Sequence, residues 1–242
     1  GWDGKHEWPS SPVFHEAFDW CAFTAMRAGI MPRNEARIDR YKKNAEQYIH
    51  NTPYDFRKTS IASRAAVFLN GLSDVSGFVA TVEKASKTES FRKEMQSRQA
   101  TYLQENEMKI QYLANLEGKD ETWWRMELRR LELLARDHTG RSERLMGYIS
   151  LVAYTYSGDA IAENRFAQAW KYLTVYKIAD PQNPEQPYLQ ACFFARQGDN
   201  NKALLSLQQA IQLGFRDKAR METEPAFQAV RTMPEYKILA GS

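Results

Sequence analysis

The residue with the clearest chemical potential in this sequence is a histidine near its start, in the stretch GKHEWPS. His6 lies two residues after Gly4 and two residues before Trp8, which Pro9 follows. An imidazole on a loop can accept the proton of a serine hydroxyl and pass it to a leaving group, and a nearby glycine lets that loop turn. These residue types fit a general base, although a histidine of this kind can equally be an ordinary loop residue.

The rest of the sequence does not complete a catalytic or metal site. His15 and Glu16 begin the zinc motif HExxH, but Asp19 stands where the second histidine is required, so we expect no metal. Nucleophilic serines often lie in GxSxG, and the stretches around Ser73 and Ser142 lack the second glycine. Because a base without a nucleophile or an oxyanion hole achieves little, we do not expect this chain alone to be an enzyme or to carry a cofactor.

Composition and charge indicate a globular chain and give no sign of a nucleic-acid or membrane partner. Hydrophobic residues make up 43% and charged residues 26% of the 242 residues, which is ordinary for a folded protein. The net charge of +3 is too small to indicate nucleic-acid binding, and no window approaches the roughly 18 uninterrupted apolar residues of a membrane span. We expect Cys21 and Cys192 to be separate buried thiols rather than a disulfide.

Apolar residues recur at steps of three and four from residue 10 onward, which predicts helices along almost the whole chain and an all-α fold. The first predicted helix runs from Pro12 to Arg27. Its expected apolar stripe consists of Val13, Phe14, Phe18, Cys21, Ala22 and Ala25. A long helix is predicted from a cap at Ser86 to about Leu116. Its expected inward residues are Phe91, Met95, Tyr102, Leu103, Ile110 and Leu113.

A repeat with an offset of 34 residues runs through the last part of the chain. Its first set of residues is Ala169, Leu173, Tyr176 and Pro181, and the second is Ala203, Leu207, Ala210 and Phe215. Further upstream, the match is between Leu151, Tyr154 and Gly158 in the first half and Ala191, Phe194 and Gly198 in the second. Because this upstream match has a larger offset, it predicts six extra residues in the first turn, between Asp159 and Phe166.

This pattern resembles the tetratricopeptide repeat, in which helical hairpins stack into a right-handed superhelix. Ala203 and Leu207 agree with the family's preferences, whereas Tyr176 stands where a small residue is usual and is expected to widen the helix junction. The resemblance implies two hairpins, a binding groove and a C-terminal cap built from short helices after residue 214. By helix face, the candidate binding residues are Tyr148, Tyr154 and Arg196.

The first 28 residues resemble the end of the catalytic domain of α/β-hydrolases of the esterase and prolyl-peptidase-like branch. In that family the catalytic histidine is commonly found as Gly-Gly-His-x-Trp-Pro, followed by a last helix. Gly4, His6, Trp8 and Pro9 match this pattern, while Lys5 replaces the second glycine. The resemblance implies that His6 is a catalytic base only in an intact parent hydrolase whose nucleophile and acid precede it. It also implies an exported bacterial protein.

Three segments are predicted: residues 1–28 as the remnant of a hydrolase catalytic domain, 29–142 as a helical domain, and 143–242 as tetratricopeptide-like hairpins with a cap. The expected function is that of a non-catalytic interaction region in a larger α/β-hydrolase-like protein. Such a region would bind a peptide or protein partner, or pack on the missing catalytic domain. A free-standing tetratricopeptide-like binding protein is the alternative, and a helical enzyme with an unrecognised site is a third interpretation.

Overall fold

The computed structural model describes residues 11–135 and 140–241, with the backbone alone at residues 12 and 13. Within this part, every regular element is a helix, so the predicted all-α class is confirmed. The α-helices are α1 (Ser11–Arg27), α2 (Glu35–Asn51), α3 (Asp55–Leu69), α4 (Ser76–Ala85), α5 (Glu89–Gly118), α6 (Glu121–Ala135), α7 (Arg141–Ala162), α8 (Phe166–Ala179), α9 (Glu185–Arg196), α10 (Asn200–Gln212), α11 (Lys218–Thr223) and α12 (Pro234–Ala240). Two short 3₁₀ helices, η1 (Pro225–Phe227) and η2 (Val230–Thr232), lie between α11 and α12.

The chain forms two compact units whose boundary lies inside α5. Unit 1 ends at Gln104, and unit 2 begins at Glu105. The three segments predicted from the sequence are assigned by resemblance to known families as well as by their helices. A division into compact units does not bear on such a resemblance, so the three segments stay a prediction.

Unit 1 is organised around α3, which contacts α1, α2 and α4. The buried side chains that form its core are Ala22, Phe23, Met26, Ile38, Ala45, Ala62, Ala65, Leu69, Leu72 and Phe78. Ala62 and Ala65 are fully buried on α3, and their small size lets the neighbouring helices approach closely. An ion pair between Arg64 and Glu16 also joins α3 to α1, with 2.7 Å between Nη1 and Oε1.

The helix α1 is present, but its predicted apolar stripe is only partly correct, since Ala22 is buried in the core while other members are exposed. Phe18 is 63% exposed, whereas Phe23, which lies outside the predicted stripe, is fully buried. Phe23 packs edge-on against Tyr41 of α2, with 5.3 Å between the ring centroids. The expectation of two buried thiols is wrong for Cys21, which is exposed, and correct for Cys192; both thiols are free.

The long helix is confirmed as α5, and of its six predicted inward residues Leu113 packs against the core and Phe91 stacks on Phe56, while the other four are wrong. The residues of that set that are exposed are Met95, Tyr102, Leu103 and Ile110. The buried side chains of α5 are instead Glu105, Tyr112 and Leu116. The difference arises because Tyr112 packs against Trp124 of α6, while Glu105 is paired with Arg144 of α7. The cap at its start is Thr88 rather than Ser86, because the Phe91 N–H donates to Thr88 Oγ1 at 3.2 Å.

Unit 2 is built mainly from two helix pairs, α7 with α8 and α9 with α10, whose members pack against each other. The connections within the pairs, residues 163–165 and 197–199, are equally short. Ala169 and Ala203, the small residues of the sequence repeat, are almost fully buried. A small side chain at each of these positions therefore allows the two helices of a pair to lie close together.

The two helix pairs turn in the same way, and the 34-residue offset continues through both turns. Asn164 and Gly198 have left-handed φ angles of 57° and 77°. In each turn the N–H of the next residue, Arg165 or Asp199, donates to a carbonyl oxygen five residues earlier, at 2.8 and 3.0 Å. The expectation of a longer first turn is therefore wrong. The extra residues continue α7, and Asn164, not Gly158, corresponds to Gly198.

The left-handed backbone at Gly198 leads to a specific prediction. The substitution Gly198→Ala is expected to lower the free energy of unfolding by about 1–2 kcal/mol, because a Cβ is strained in this conformation. The new Cβ would meet no described atom within 4 Å, so backbone strain is the main contribution. Asn164→Gly is the matched control, and we expect a change below about 0.5 kcal/mol because both residues tolerate this conformation. Urea unfolding followed by circular dichroism would contradict the assignment if Gly198→Ala were neutral.

The predicted short helices after residue 214 are present and close one side of the second helix pair. η1 packs against α9, while η2 and α12 pack against α10. Phe215, Phe227 and Tyr236 are buried in this segment, and the Tyr236 hydroxyl donates to the Met221 carbonyl oxygen at 2.9 Å. A helical hairpin cannot bury both of its faces by itself, and this segment covers the face that α9 and α10 leave open.

Candidate functional site

The structure separates the residues that the sequence singles out. His6 lies outside the described residues. Tyr148 on α7 faces a lysine of α5, whose Nζ lies 5.7 Å from the ring centroid. Tyr154 lies six residues further along α7, roughly 120° around the helix, and its ring is 5.9 Å from that of Tyr176 on α8. Arg196 is exposed at the end of α9. Tyr148 and Tyr154 therefore contact different neighbours.

Tyr154 belongs to a half-buried group of aromatic and charged residues that we call the tyrosine cluster. The cluster consists of Tyr154 on α7, Tyr176 on α8, Asp180 directly after α8, Glu185 and Tyr188 on α9, and Arg220 on α11. Tyr176 and Asp180 are four residues apart and Glu185 and Tyr188 three, so the members of each pair lie on one side of their helix. The 34-residue offset between Tyr154 and Tyr188 gives the two helix pairs equivalent tyrosines.

Arg220 connects α11 to α9 through one ion pair and two aromatic contacts. Its Nη1 lies 2.7 Å from Glu185 Oε2, and its guanidinium carbon lies 4.3 Å from the centroid of the Tyr188 ring and 5.8 Å from that of Phe215. Burial by itself would lower the pKa of Arg220, but the hydrogen bond and charge of Glu185 have a larger and opposite effect, so the pKa is raised. The guanidinium therefore stays charged and is held over an aromatic face, where a cation is stabilised.

The Tyr176 side chain is buried, but its hydroxyl is not satisfied by the protein. The residue is 2% exposed, and within residues 11–135 and 140–241 its hydroxyl forms no hydrogen bond, while its oxygen keeps some contact with solvent. Burial raises the pKa of Tyr176, and the negative charges of Asp180 and Glu185 raise it further. The charge of Arg220 opposes this effect only in part, so the hydroxyl stays protonated and lies in the field of two carboxylates and one guanidinium.

Asp180 is the member of the cluster whose charge is least compensated. Its Oδ2 accepts a hydrogen bond from Asn183 Nδ2 at 3.0 Å and a longer one from Ser150 Oγ at 3.4 Å. Both donors are neutral, and in the described part of the chain no lysine, arginine or histidine lies within 4.0 Å of this carboxylate. Glu185, in contrast, is paired with Arg220. The cluster thus contains two carboxylates and one guanidinium, and Asp180 supplies the excess negative charge.

The thiol and the carboxylate closest to the two candidate surfaces are already constrained by their surroundings. The thiol close to the tyrosine cluster, Cys192, is buried, and burial raises the pKa of this thiol, so it stays protonated and is a poor nucleophile. Elsewhere, a shallow cleft of about 490 Å³ lies between α2 and the start of α4. Its lining is mostly polar, and the Asp74 carboxylate there already accepts the Ser76 N–H at 2.9 Å.

Sequence patterns give only part of this site. Tyr154 is selected by helix face, and Tyr176 is noticed because it replaces a small residue of the repeat. Asp180 and Glu185 flank the proline turn between the helix pairs, where polar residues are common and attract no attention. Arg220 lies in the segment after the repeat, so its position beside Tyr188 has no signal in residue spacing. The equivalent tyrosines at positions 154 and 188 are the one pattern that points to the cluster.

Comparison with known proteins adds no relative. No model of a known family matches the chain, and neither a curated protein nor a solved structure matches it. Two further searches within the described residues were also negative. They contain no group of three His, Cys, Asp or Glu side chains that could hold a metal ion, and no helix among them is long and apolar enough to cross a membrane.

Proposed function

We propose that this chain is a non-catalytic interaction region, and that the tetratricopeptide-like helix pairs of unit 2 bind an extended peptide segment of a partner protein. The observation that carries the proposal is the tyrosine cluster, in which the hydroxyl of Tyr176, which has no hydrogen bond within the described residues, lies close to partly buried aromatic and acidic side chains. Groups of this kind give a peptide both ring surface and hydrogen-bonding partners. They are supplied by three helices that a packed core holds in place.

The arrangement of the helix pairs supports a groove on the side of α7 that carries Tyr154. Leu151 is 43% exposed on the same helix, three residues before Tyr154, and so lies on the same side. Around α9, the segment after residue 214 covers the equivalent Tyr188, which is fully buried. The accessible part of such a groove is therefore the part lined by α7, where Leu151 and Tyr154 would contact the peptide.

The first helix supports a second role within a larger α/β-hydrolase-like protein. Phe18 and Trp20 expose large aromatic surfaces on α1, at 63% and 48% of their areas. Phe18 stacks on Phe14 one turn earlier, with 6.3 Å between the ring centroids, and exposed aromatic patches of this kind often mark an interface. In this second role α1 would pack on a catalytic domain, where His6 would serve as the base, and the same chain would cover or orient that domain.

Selection from a random peptide library tests the binding function. Dodecapeptides displayed on phage would be selected against the immobilised chain, and the synthetic winners would be titrated by isothermal calorimetry. We expect the double variant Leu151→Ala/Tyr154→Ala to bind them at least about ten-fold more weakly, because it loses the apolar contacts of two side chains. The matched control is Met126→Ala, which truncates an exposed apolar side chain on α6, and it should bind normally. The proposal is wrong if no peptide is enriched, or if the double variant binds as well as the unmodified chain.

A further inference from the structure

The middle of α5, by which we mean residues 92–104, is exposed on nearly all sides. These residues are the last part of unit 1, and every one of them except Thr101 is exposed. Among the described residues, no member of the buried core of either unit lies in this stretch. A helix in a protein is held mainly by the packing of one of its faces, and the middle of α5 lacks that support.

Both ends of α5, in contrast, are anchored. At its start, the Phe91 ring stacks on Phe56 of α3, with 5.9 Å between the ring centroids. Towards its end, Tyr112 and Leu116 are buried, and the Tyr112 ring packs against Trp124 of α6 at a centroid distance of 6.1 Å. The middle of α5 can therefore leave the helical conformation while the contacts at both ends stay in place.

The ion pairs in the middle of α5 add little to its stability. Lys93 pairs with Glu89 at 2.8 Å. Arg98 pairs with Glu94 at 2.7 Å, and all four side chains are exposed. The guanidinium carbon of Arg98 also lies 4.3 Å from the centroid of the Phe56 ring. Exposed contacts of these kinds are weak, so opening this stretch costs far less than unfolding either core.

A helix that opens locally is a substrate for proteases. A protease binds its substrate in an extended conformation, with several residues on each side of the cut, so it cuts a helix only through the open form. Arg98 is the central residue of the middle of α5, with six residues of that stretch on either side. Its exposed, charged side chain is the type that a protease specific for basic residues requires.

We propose that the middle of α5 is a proteolytic processing site, at which a protease specific for basic residues hydrolyses the peptide bond between Arg98 and Gln99. Water adds across this bond, so Arg98 gains a carboxylate and Gln99 gains an amino group. The products are residues 1–98 and 99–242, and each of them retains one of the two hydrophobic cores. This inference is independent of peptide binding, because it concerns α5 and not the groove.

The direct test is limited digestion of the full chain with trypsin, followed by mass spectrometry of the intact products. Arg125 on α6 is the matched internal site. It is 62% exposed, against 59% for Arg98, and it also pairs with a glutamate four residues earlier. We expect the initial rate of cleavage after Arg98 to be at least about thirty-fold higher than after Arg125, because opening α6 also exposes Trp124 and Leu128 of the core. Equal rates at the two sites would overturn the inference.

A pair of glycine substitutions shows whether the cleavage follows local opening of the helix. Ala100→Gly weakens the helix beside Arg98, and we expect cleavage there to become about four-fold faster, because glycine favours a helix less than alanine does. The matched control is Ala114→Gly, which changes another exposed alanine in the anchored part of α5 and should leave this rate unchanged. An unchanged rate in Ala100→Gly, or an equal rise in both variants, would contradict the proposal.

Amide hydrogen exchange gives a test that does not depend on any protease. We expect the amides of residues 96–104 to exchange at least about thirty-fold faster than those of residues 109–116 on the same helix. After cleavage, the slowly exchanging amides of each core should stay protected in the two products. Uniform exchange along α5, or loss of protection in either product, would show that the middle of α5 does not open on its own.

Discussion

Replacing Tyr188 with alanine is expected to lower the free energy of unfolding of unit 2 by about 3–5 kcal/mol, the range for a large aromatic side chain truncated in a core. Tyr188 is fully buried. Its ring stacks on Phe215 with 4.3 Å between centroids and meets Phe227 edge-on at 5.8 Å. The cation of Arg220 lies on the same ring. A single truncation would therefore remove contacts between α9 and three parts of the C-terminal segment.

The matched control is Tyr188→Phe, which keeps the ring and removes the hydroxyl. The Tyr188 hydroxyl lies 3.5 Å from the Arg220 carbonyl oxygen, so its hydrogen bond is long and weak. We expect this variant to lose less than about 1 kcal/mol. Urea unfolding followed by circular dichroism gives both values. An equal loss in the two variants would mean that the hydroxyl, and not the stacked ring, holds the C-terminal segment in place.

The positions of the helices could be predicted from sequence because their ends are set by local residues. α6 begins after Asp120, whose carboxylate accepts the Trp123 N–H at 2.8 Å, and aspartate is one of the residues preferred at the start of a helix whatever the fold. α8 ends just before Pro181, and α1 ends just before Gly29, which has a φ angle of 70°. In each case a few neighbouring residues determine the helix end.

The buried faces could not be predicted in the same way, because burial depends on which element lies opposite. On α1 the apolar residues are spread around the helix, and contact with Tyr41 of α2 decides that Phe23 is buried while Phe18 is exposed. On α5 a glutamate is buried among polar partners, which no pattern of apolar spacing can indicate. Repeated small residues such as Ala169 are an exception, since close helix packing requires them wherever the neighbour lies.

The tyrosine cluster was only partly predictable for a related reason. Tyr154 is visible in the sequence because it lies in the repeat. The charged members are not, because Arg220 is brought to Glu185 from 35 residues away by the path of the chain after the repeat. The correct equivalence of the two turns, Asn164 with Gly198, needed the backbone angles, since asparagine and glycine share little except a tolerance of the left-handed conformation.

Removing the charge of Glu105 is the second substitution for which we expect a large effect. This side chain is 7% exposed, and its Oε2 accepts from Arg144 Nη2 at 2.8 Å while its Oε1 accepts from Lys109 Nζ at 2.7 Å. Glu105→Gln keeps the shape but removes the negative charge that both cations contact. Both cations are about one-third exposed, so water screens them partly, and we expect a loss of about 2 kcal/mol rather than the larger value for a fully buried pair. Glu132→Gln, which breaks an exposed pair with Arg129 on α6, is the control and should lose less than about 0.5 kcal/mol.

The dependence of this loss on pH gives a sharper test than its size. Burial by itself would raise the pKa of Glu105. The hydrogen bonds from Arg144 and Lys109 have a larger and opposite effect, so the folded-state pKa lies below its usual value of 4.5. A carboxyl group with a lowered pKa stabilises the fold fully above its unfolded pKa, and this contribution is lost as the pH falls through the folded pKa. The difference in unfolding free energy between the unmodified chain and Glu105→Gln should therefore be constant near neutral pH and shrink once the pH falls below about 4.5. Urea unfolding at a series of pH values measures it, and a difference that grows on acidification would show that Glu105 is not held as a carboxylate by its two cations.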